Sequence, residues 1–421
     1  MTHINRRRLL QGAAALPAAT LAASLPMAAR AQAHAPGFPR LMGMNIGAKR
    51  YHEPAYQAEL ARHHVVILDF FAGWHQNMGS KDPIGDALRA IKAHNPAIHI
   101  GQYSNFVEAP DEATDKAGKL ESARWWLRNG HGDRVQWTQQ FKGHDVNITE
   151  WAPADEKGRR YPEWVAERDY ALFHQPHPEI DIWYLDNSSS KPLAVKADWE
   201  GKGDEKPNTD ARVARAYRRG HLMGWNRIHQ LQPSAWVMAN SDDVTSDEYR
   251  GQLDGVYMEA LFGKSWSIGT WGGWDKVMQR YGATMVNTRA PRLVGFGVVG
   301  APDDYRLMRY GLATCLLGDG YFCYSNSLSQ YSSVAWFDEF DSDLGMPVEP
   351  PPSGPGDGGV WRRRYQRGIA LVNPSAQPRL VDVGDGYRFL QGRQAPQVNT
   401  GRPAGRVQLP PNDGLVLLRS A

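Results

Sequence analysis

The chain has 421 residues, 42% of them apolar and 22% charged, with a formal net charge of +3. That composition belongs to a globular protein with a sizeable core and excludes a disordered or fibrous chain. The +3 includes the basic run Arg6-Arg7-Arg8, so nothing points to nucleic acid, and two cysteines, Cys315 and Cys323, are too few for a disulfide framework.

Residues 1–33 begin with that arginine run, continue with the apolar "LLQGAAALPAATLAASLPMAA" and close on Ala31-Gln32-Ala33, a small-x-small cleavage site. The pattern predicts an export signal resembling the twin-arginine type, cleaved near Ala33 to leave a periplasmic or secreted protein. A stable membrane anchor is not expected, because the apolar run is short, Ala-rich and broken by Pro, below the roughly 20 strongly apolar residues of a spanning helix. Replacing Arg6, Arg7 and Arg8 by Lys is expected to hold the precursor in the cytoplasm, seen as an uncleaved band in cell fractions. Normal export of that variant would leave only the general secretory route.

Short apolar runs then recur at intervals: 40–46, 65–70, 97–103, 180–186, 235–240, 254–260, 292–298 and 320–325. Each is followed by a polar or Gly-containing turn, and helical patterns lie between them at 54–63, 83–94, 161–173, 210–231, 271–281 and 303–317. Near-continuous apolar runs are what parallel strands buried on both faces require. Eight strand-helix repeats predict a (β/α)8 TIM barrel over residues 34–346, with a doubly wound sheet as the alternative. "PVEPPPSGPGDGG" (347–359) reads as a Pro/Gly linker. The short alternating strands of 360–421 form a small C-terminal antiparallel β-domain, expected to brace the barrel. Cys315 falls in a helix and Cys323 in the following strand, so two buried free thiols are expected.

In a barrel of this kind the active site lies at the C-terminal ends of the strands. Asp186 in "DIWYLDN" and Glu259 in "GVYMEALF" both stand there, on strands of equal parity. If Asp186 points inward, so do Tyr184 and Ile182; if Glu259 does, so do Tyr257 and Gly255. The two carboxylates can then share one layer above the two tyrosines. A facing pair of carboxylates is the requirement of glycoside hydrolysis. The bland reading gives Asp186 to its own loop and Glu259 to a cation.

Strand ends and the loops beyond them add Asn45, Asp69, Tyr103, Asn187 and Asn240 as groups for sugar hydroxyls, with Tyr184 and Tyr257 beneath. The long connection 104–160 carries Trp125, Trp126, Trp137 and Trp151. The adjacent pair Trp125 and Trp126 is expected to lie on a helix and be buried, whereas Trp151, Trp199, Trp266 and Trp271 are candidates for stacking on sugar rings. Asn187 and Ser188 are expected to hydrogen-bond Asp186 and favour its ionised form, and the apolar neighbours of Glu259 to disfavour its charge. That assigns Asp186 as nucleophile and Glu259 as general acid/base of a retaining route.

The segments "YLDN", "VYMEAL", "VAWFDEFDSDLG", "RGIALVNP" and "LPPNDGLVLL" give the whole mature chain a resemblance to the bacterial glycoside hydrolases grouped as a hypothetical, family-fifteen-like barrel set. That set is similar in plan to the endo-α-1,4-polygalactosaminidase-like barrels. The resemblance implies an Asp after strand four and a Glu after strand six as the catalytic pair, here Asp186 and Glu259, and a carbohydrate polymer or oligosaccharide as partner. The acidic residues Asp338, Glu339, Asp341 and Asp343 belong to the same pattern without an assigned role.

No cofactor is expected. "GFGVVG" (295–300) matches the dinucleotide fingerprint in form only, since it sits in the seventh unit rather than opening a βαβ domain. His174 and His177 precede strand four, on the face away from the site, so no metal site is expected. A non-catalytic carbohydrate-binding barrel or envelope-polysaccharide scaffold is the rival reading, and a metal-dependent deacetylase or amidohydrolase the third. Nothing in the sequence fixes an oligomeric state.

Overall fold

The computed structural model describes residues 37–420 apart from 48, 76–77, 113, 141–142 and 330. The proposed export signal lies outside the described residues. Eight parallel strands form one sheet in chain order: β1 (Met42–Asn45), β2 (Val65–Leu68), β3 (His99–Asn105), β4 (Ile182–Asp186), β5 (Trp236–Asn240), β6 (Gly255–Phe262), β7 (Leu293–Gly300) and β8 (Tyr321–Asn326). A parallel bridge between Leu41 and Phe322, with Phe322 N–H donating to the Arg40 carbonyl at 2.8 Å, closes the sheet on itself. The protein is therefore a TIM barrel.

Its interior is filled by alternate residues of the strands. Met42, Met44, Val65, Ile67, Ile182, Tyr184, Met238, Tyr257, Leu293, Tyr321 and Cys323 form one buried cluster, which agrees with the inward direction inferred for Ile182, Tyr184 and Tyr257. The glycines of "GFGVVG" belong to this packing. A Cβ on Gly295 or Gly297 would come within 2.8 Å of Tyr257, so they make room for a tyrosine and not for a phosphate.

The helices α1 (Pro54–Leu60), α2 (Pro83–His94), α3 (Asp115–Ser122), α4 (Tyr161–Asp169), α5 (Ala211–Leu231), α6 (Gly273–Asn287) and α7 (Tyr305–Leu316) cover the outside. Strong local signals set their ends: Pro83 follows the N-cap Asp82, whose side chain accepts from Gly85 N–H, and Asp210 caps α5 in the same way. The strand-helix repeat is not complete. Residues 241–254 connect β5 to β6 without a helix, and β8 leads out of the barrel. In place of the missing helix, buried Asp254 accepts from Val237 N–H at 2.8 Å and from Arg289 at 2.7 and 2.9 Å. Three charge-assisted bonds offset much of the cost of removing that carboxylate from water.

A second sheet follows, with strands β9 (Trp361–Tyr365), β10 (Gly368–Asn373), β11 (Arg379–Phe389), β12 (Pro403–Leu409) and β13 (Asp413–Arg419), all pairs antiparallel. It forms one compact unit with the barrel. Buried Arg309 on α7 donates to Asp413 at 3.0 Å, and Arg363 reaches Asp319 at 2.9 Å. The "WFDEFDSD" acids complete the joint. Asp338 accepts from the N–H groups of Arg393 and Gln394, and Glu339 from Asn399 at 3.0 Å. Asp343 pairs with Arg367. These contacts fit a brace, and with Asp341, which accepts from Arg62 at 3.2 Å, they occupy the acids that the sequence left without a role. Cys315 and Cys323 are both buried and free. Among the described residues no helix is long and apolar enough to cross a membrane.

Candidate active site

Asp186 and Glu259 meet at the C-terminal mouth of the barrel. Asn240, the last residue of β5, stands between their strands, and its Nδ2 donates to Oδ1 of Asp186 and to Oε2 of Glu259, at 3.0 Å each. The same amide therefore spaces both carboxylates. The second oxygen of Asp186 accepts from the Tyr103 hydroxyl at 2.7 Å, and that of Glu259 from the Tyr331 hydroxyl at 2.6 Å. All four carboxylate oxygens thus have a donor from the protein. Neither acid pairs with a Lys or Arg among the described residues, which removes the bland reading of Glu259. Tyr184 stacks under Tyr103 with ring centroids 5.8 Å apart, and Tyr257 meets it edge-on at 6.2 Å, so the two buried tyrosines floor the site.

Local backbone sets these positions. Ala260, directly after Glu259, has φ of 44°, and the β6–β7 register shifts between Met258 and Phe262. This is a bulge beside the site, with an alanine in the left-handed region at a cost of order 1–2 kcal/mol. Asn187 is also left-handed, at 51°.

Burial raises the proton affinity of Glu259 above the ordinary glutamate value, and the neighbouring Asp186 charge adds to this, while Tyr331, Asn240 and Lys264 oppose it. The expected donors Asn187 and Ser188 do not bond Asp186. Asn187 turns its amide to Glu108 Oε1 at 2.9 Å, and Ser188 donates to the Leu185 carbonyl. The left-handed turn at Asn187 aims that side chain away from the carboxylate preceding it. Tyr103 and Asn240 supply its hydrogen bonds instead.

The other predicted residues divide. Asp69 pairs with Lys49 at 2.8 Å. Asn45 is buried, with its amide on the Tyr56 hydroxyl and the Ser333 carbonyl, so its hydrogen bonds are spent inside the fold. Trp199 is buried too, its indole donating to the Lys206 carbonyl at 3.0 Å, and is no stacking surface. Trp125 and Trp126 are buried as expected, but they follow α3 instead of lying on it. Trp151 is half-buried, with Arg212 over its ring at 5.8 Å. Trp266 and Trp271 are exposed after β6. His174 stacks on Trp183 at 3.7 Å and His177 bonds Asp82, both structural.

Two residues near the pair, Tyr331 and Glu108, went unnamed in the sequence, and Trp137 was named there without being set apart as a stacking candidate. Tyr331 comes from the loop after β8, tied to the loop after β1 by Gly47 N–H donating to the Tyr331 carbonyl at 2.9 Å. Its only sequence signal is a lone aromatic in a serine-rich loop on the functional side. Glu108 and Trp137 lie in the long connection after β3 and are joined to each other by a hydrogen bond.

No curated protein matches the chain. Among solved structures, an Anoxybacillus α-amylase is similar over 91% of this chain and 98% of its own, with 10% identity and a TM-score of 0.49. The glycoside hydrolase domain of PelA from Pseudomonas aeruginosa is similar over 70% of this chain and 97% of its own, at 15% identity and a TM-score of 0.45. A β-L-arabinopyranosidase from Geobacillus stearothermophilus covers 91% and 96%, at 9% identity and a TM-score of 0.50, a likeness of fold. The family model described as hypothetical glycosyl hydrolase family 15 matches residues 92–369, which include every strand from β3 to β8 together with Asp186, Asn240 and Glu259. The chain belongs to the hypothetical glycosyl hydrolase family 15 and is a glycoside hydrolase.

Proposed function

We propose that the enzyme cleaves a carbohydrate polymer or oligosaccharide with retention of anomeric configuration, Asp186 acting as nucleophile and Glu259 as general acid/base. Glu259 gives its proton to the leaving glycosidic oxygen while Asp186 attacks the anomeric carbon. Ionised Glu259 then takes a proton from the water that releases the sugar from Asp186.

The observation that carries this reading is the shared amide of Asn240. Two hydrogen bonds of 3.0 Å from one nitrogen keep the bonded oxygens of the two carboxylates no more than about 6 Å apart, which favours the carboxyl spacing of retaining enzymes, about 5–5.5 Å, over the roughly 6.5–9.5 Å of inverting ones. Burial of Glu259 favours the protonated form an acid needs. Exposed Trp137, Trp266 and Trp271, all in segments that follow barrel strands, support a substrate with several sugar rings.

The test is proton NMR of the first reducing ends formed from a cleaved polysaccharide. Retention gives the anomer of the original linkage, and initial appearance of the opposite anomer refutes the assignment.

The Tyr331 hydroxyl stabilises ionised Glu259 and so lowers its proton affinity. The groups that act on Glu259 are Asp186, Asn240, Tyr331 and Lys264, and Tyr331→Phe removes only the hydroxyl. The alkaline limb of kcat/KM, which reports loss of the acid's proton in the free enzyme, should then move to higher pH. An unmoved limb with reduced rate would make Tyr331 a packing residue only.

A further inference from the structure

The connection after β3 makes an excursion that returns beside the site. Glu108 and Asp145 face each other across a two-stranded antiparallel ribbon, Glu108–Pro110 with Gly143–Asp145. Both carboxylates are buried, and both act on Trp137. Its backbone N–H donates to Asp145 Oδ2 at 2.8 Å, and its indole N–H donates to Glu108 Oε1. The same Glu108 oxygen accepts from Asn187, the residue next to Asp186, at 2.9 Å.

This arrangement is costly for what it holds. Burial raises the proton affinity of both acids; the Glu108 charge adds to this at Asp145, which is pushed up to about 7, and the Asp186 charge adds to it at Glu108. A core tryptophan is oriented by packing. Trp137 is oriented by two buried carboxylates while 37% of it stays exposed. The excursion is stiffened behind it, since Arg134 pairs with Asp111 and Glu121 and lies over the Trp126 ring at 4.5 Å. Val135 N–H donates to the Leu127 carbonyl at 2.9 Å. What the carboxylates secure is a fixed, half-exposed aromatic face two hydrogen bonds away from the residue that follows Asp186.

We propose that Trp137, pinned by Glu108, is a sugar-binding subsite that stacks on the pyranose ring next to the unit held at Asp186. The proposal rests on the reading of Asp186 and Glu259 as the cleaving pair. Rigid aromatic faces bind the C–H faces of sugars at little cost in lost motion, because no rotamer has to be frozen on binding. Asn187 connects the two subsites, so its left-handed turn serves Glu108 rather than Asp186.

The experiment is affinity electrophoresis of the Glu259→Gln protein through gels containing neutral, amino-sugar or uronic-acid bacterial exopolysaccharides, with reducing-end release by wild type measured on the same polymers. Glu259→Gln is expected to be retarded by at least one polymer. Adding Trp137→Ala should weaken that retention about tenfold. Adding Glu108→Ala, which leaves the indole but removes its pin, should weaken it as well, whereas Glu108→Gln, which keeps an acceptor, should retain it. Thermal unfolding followed by circular dichroism identifies any variant lost to misfolding, and the Glu108 pair then decides. Retention unaffected by Trp137→Ala, or by Glu108→Ala where only that variant folds, overturns the subsite, as does a Glu259→Gln protein retarded by no polymer. If wild type releases no reducing ends while retention still depends on Trp137, the subsite stands and the cleaving pair falls. If wild type cleaves but retention ignores Trp137, the reverse holds.

Discussion

Glu259→Ala should lose about 10²–10⁴-fold in turnover of a natural glycoside and far less with an activated leaving group such as dinitrophenolate. The difference follows from the role proposed for the residue. A poor leaving group needs the proton that Glu259 delivers, and a good one departs without it. Glycosylation of Asp186 then proceeds, and the second step stalls for want of a base. Azide needs no base and is small enough for the space the carboxylate leaves. Adding it should restore turnover and yield a glycosyl azide with the substrate's own configuration, the product of two inversions. If Glu259 were the nucleophile, azide would attack the substrate directly and give the opposite configuration, and the roles would have to be exchanged.

The sequence made the barrel legible because the physics there is local and repeated. Strands buried on both faces must be apolar throughout, so "VVIL" at β2 and "IWYLD" at β4 announce themselves, and α2 spans the predicted residues 83–94. Alternation carried the argument further, from Asp186 down to Tyr184 and Ile182. It ran out where tertiary contacts decide. The bulge at Ala260 has no glycine to mark it, and "VYMEALF" reads as an unbroken strand. Asn187 looks like a donor to Asp186 until the turn at that residue sends its amide to Glu108. Tyr331 is far from Glu259 in sequence, and only the fold brings the loop after β8 to the end of β6. Nor does anything local at Asn240 say that it spaces the two acids; that follows from its place on the strand between them.

Asp186→Asn keeps the size of the side chain and an oxygen that can accept from Tyr103, but it replaces an anionic nucleophile with a neutral amide. Loss of at least about a thousandfold is expected, because among the described residues no other carboxylate is bonded to Asn240 beside Glu259. Folding should be little changed, since the tyrosine layer beneath is untouched. The central claim is that this pair of carboxylates breaks glycosidic bonds, and it is tested most directly by reducing-end release from a panel of bacterial polysaccharides by wild type and by Asp186→Asn. Wild type is expected to release reducing ends from at least one polymer, and the folded variant none above background. Equal release by the two proteins would contradict the claim.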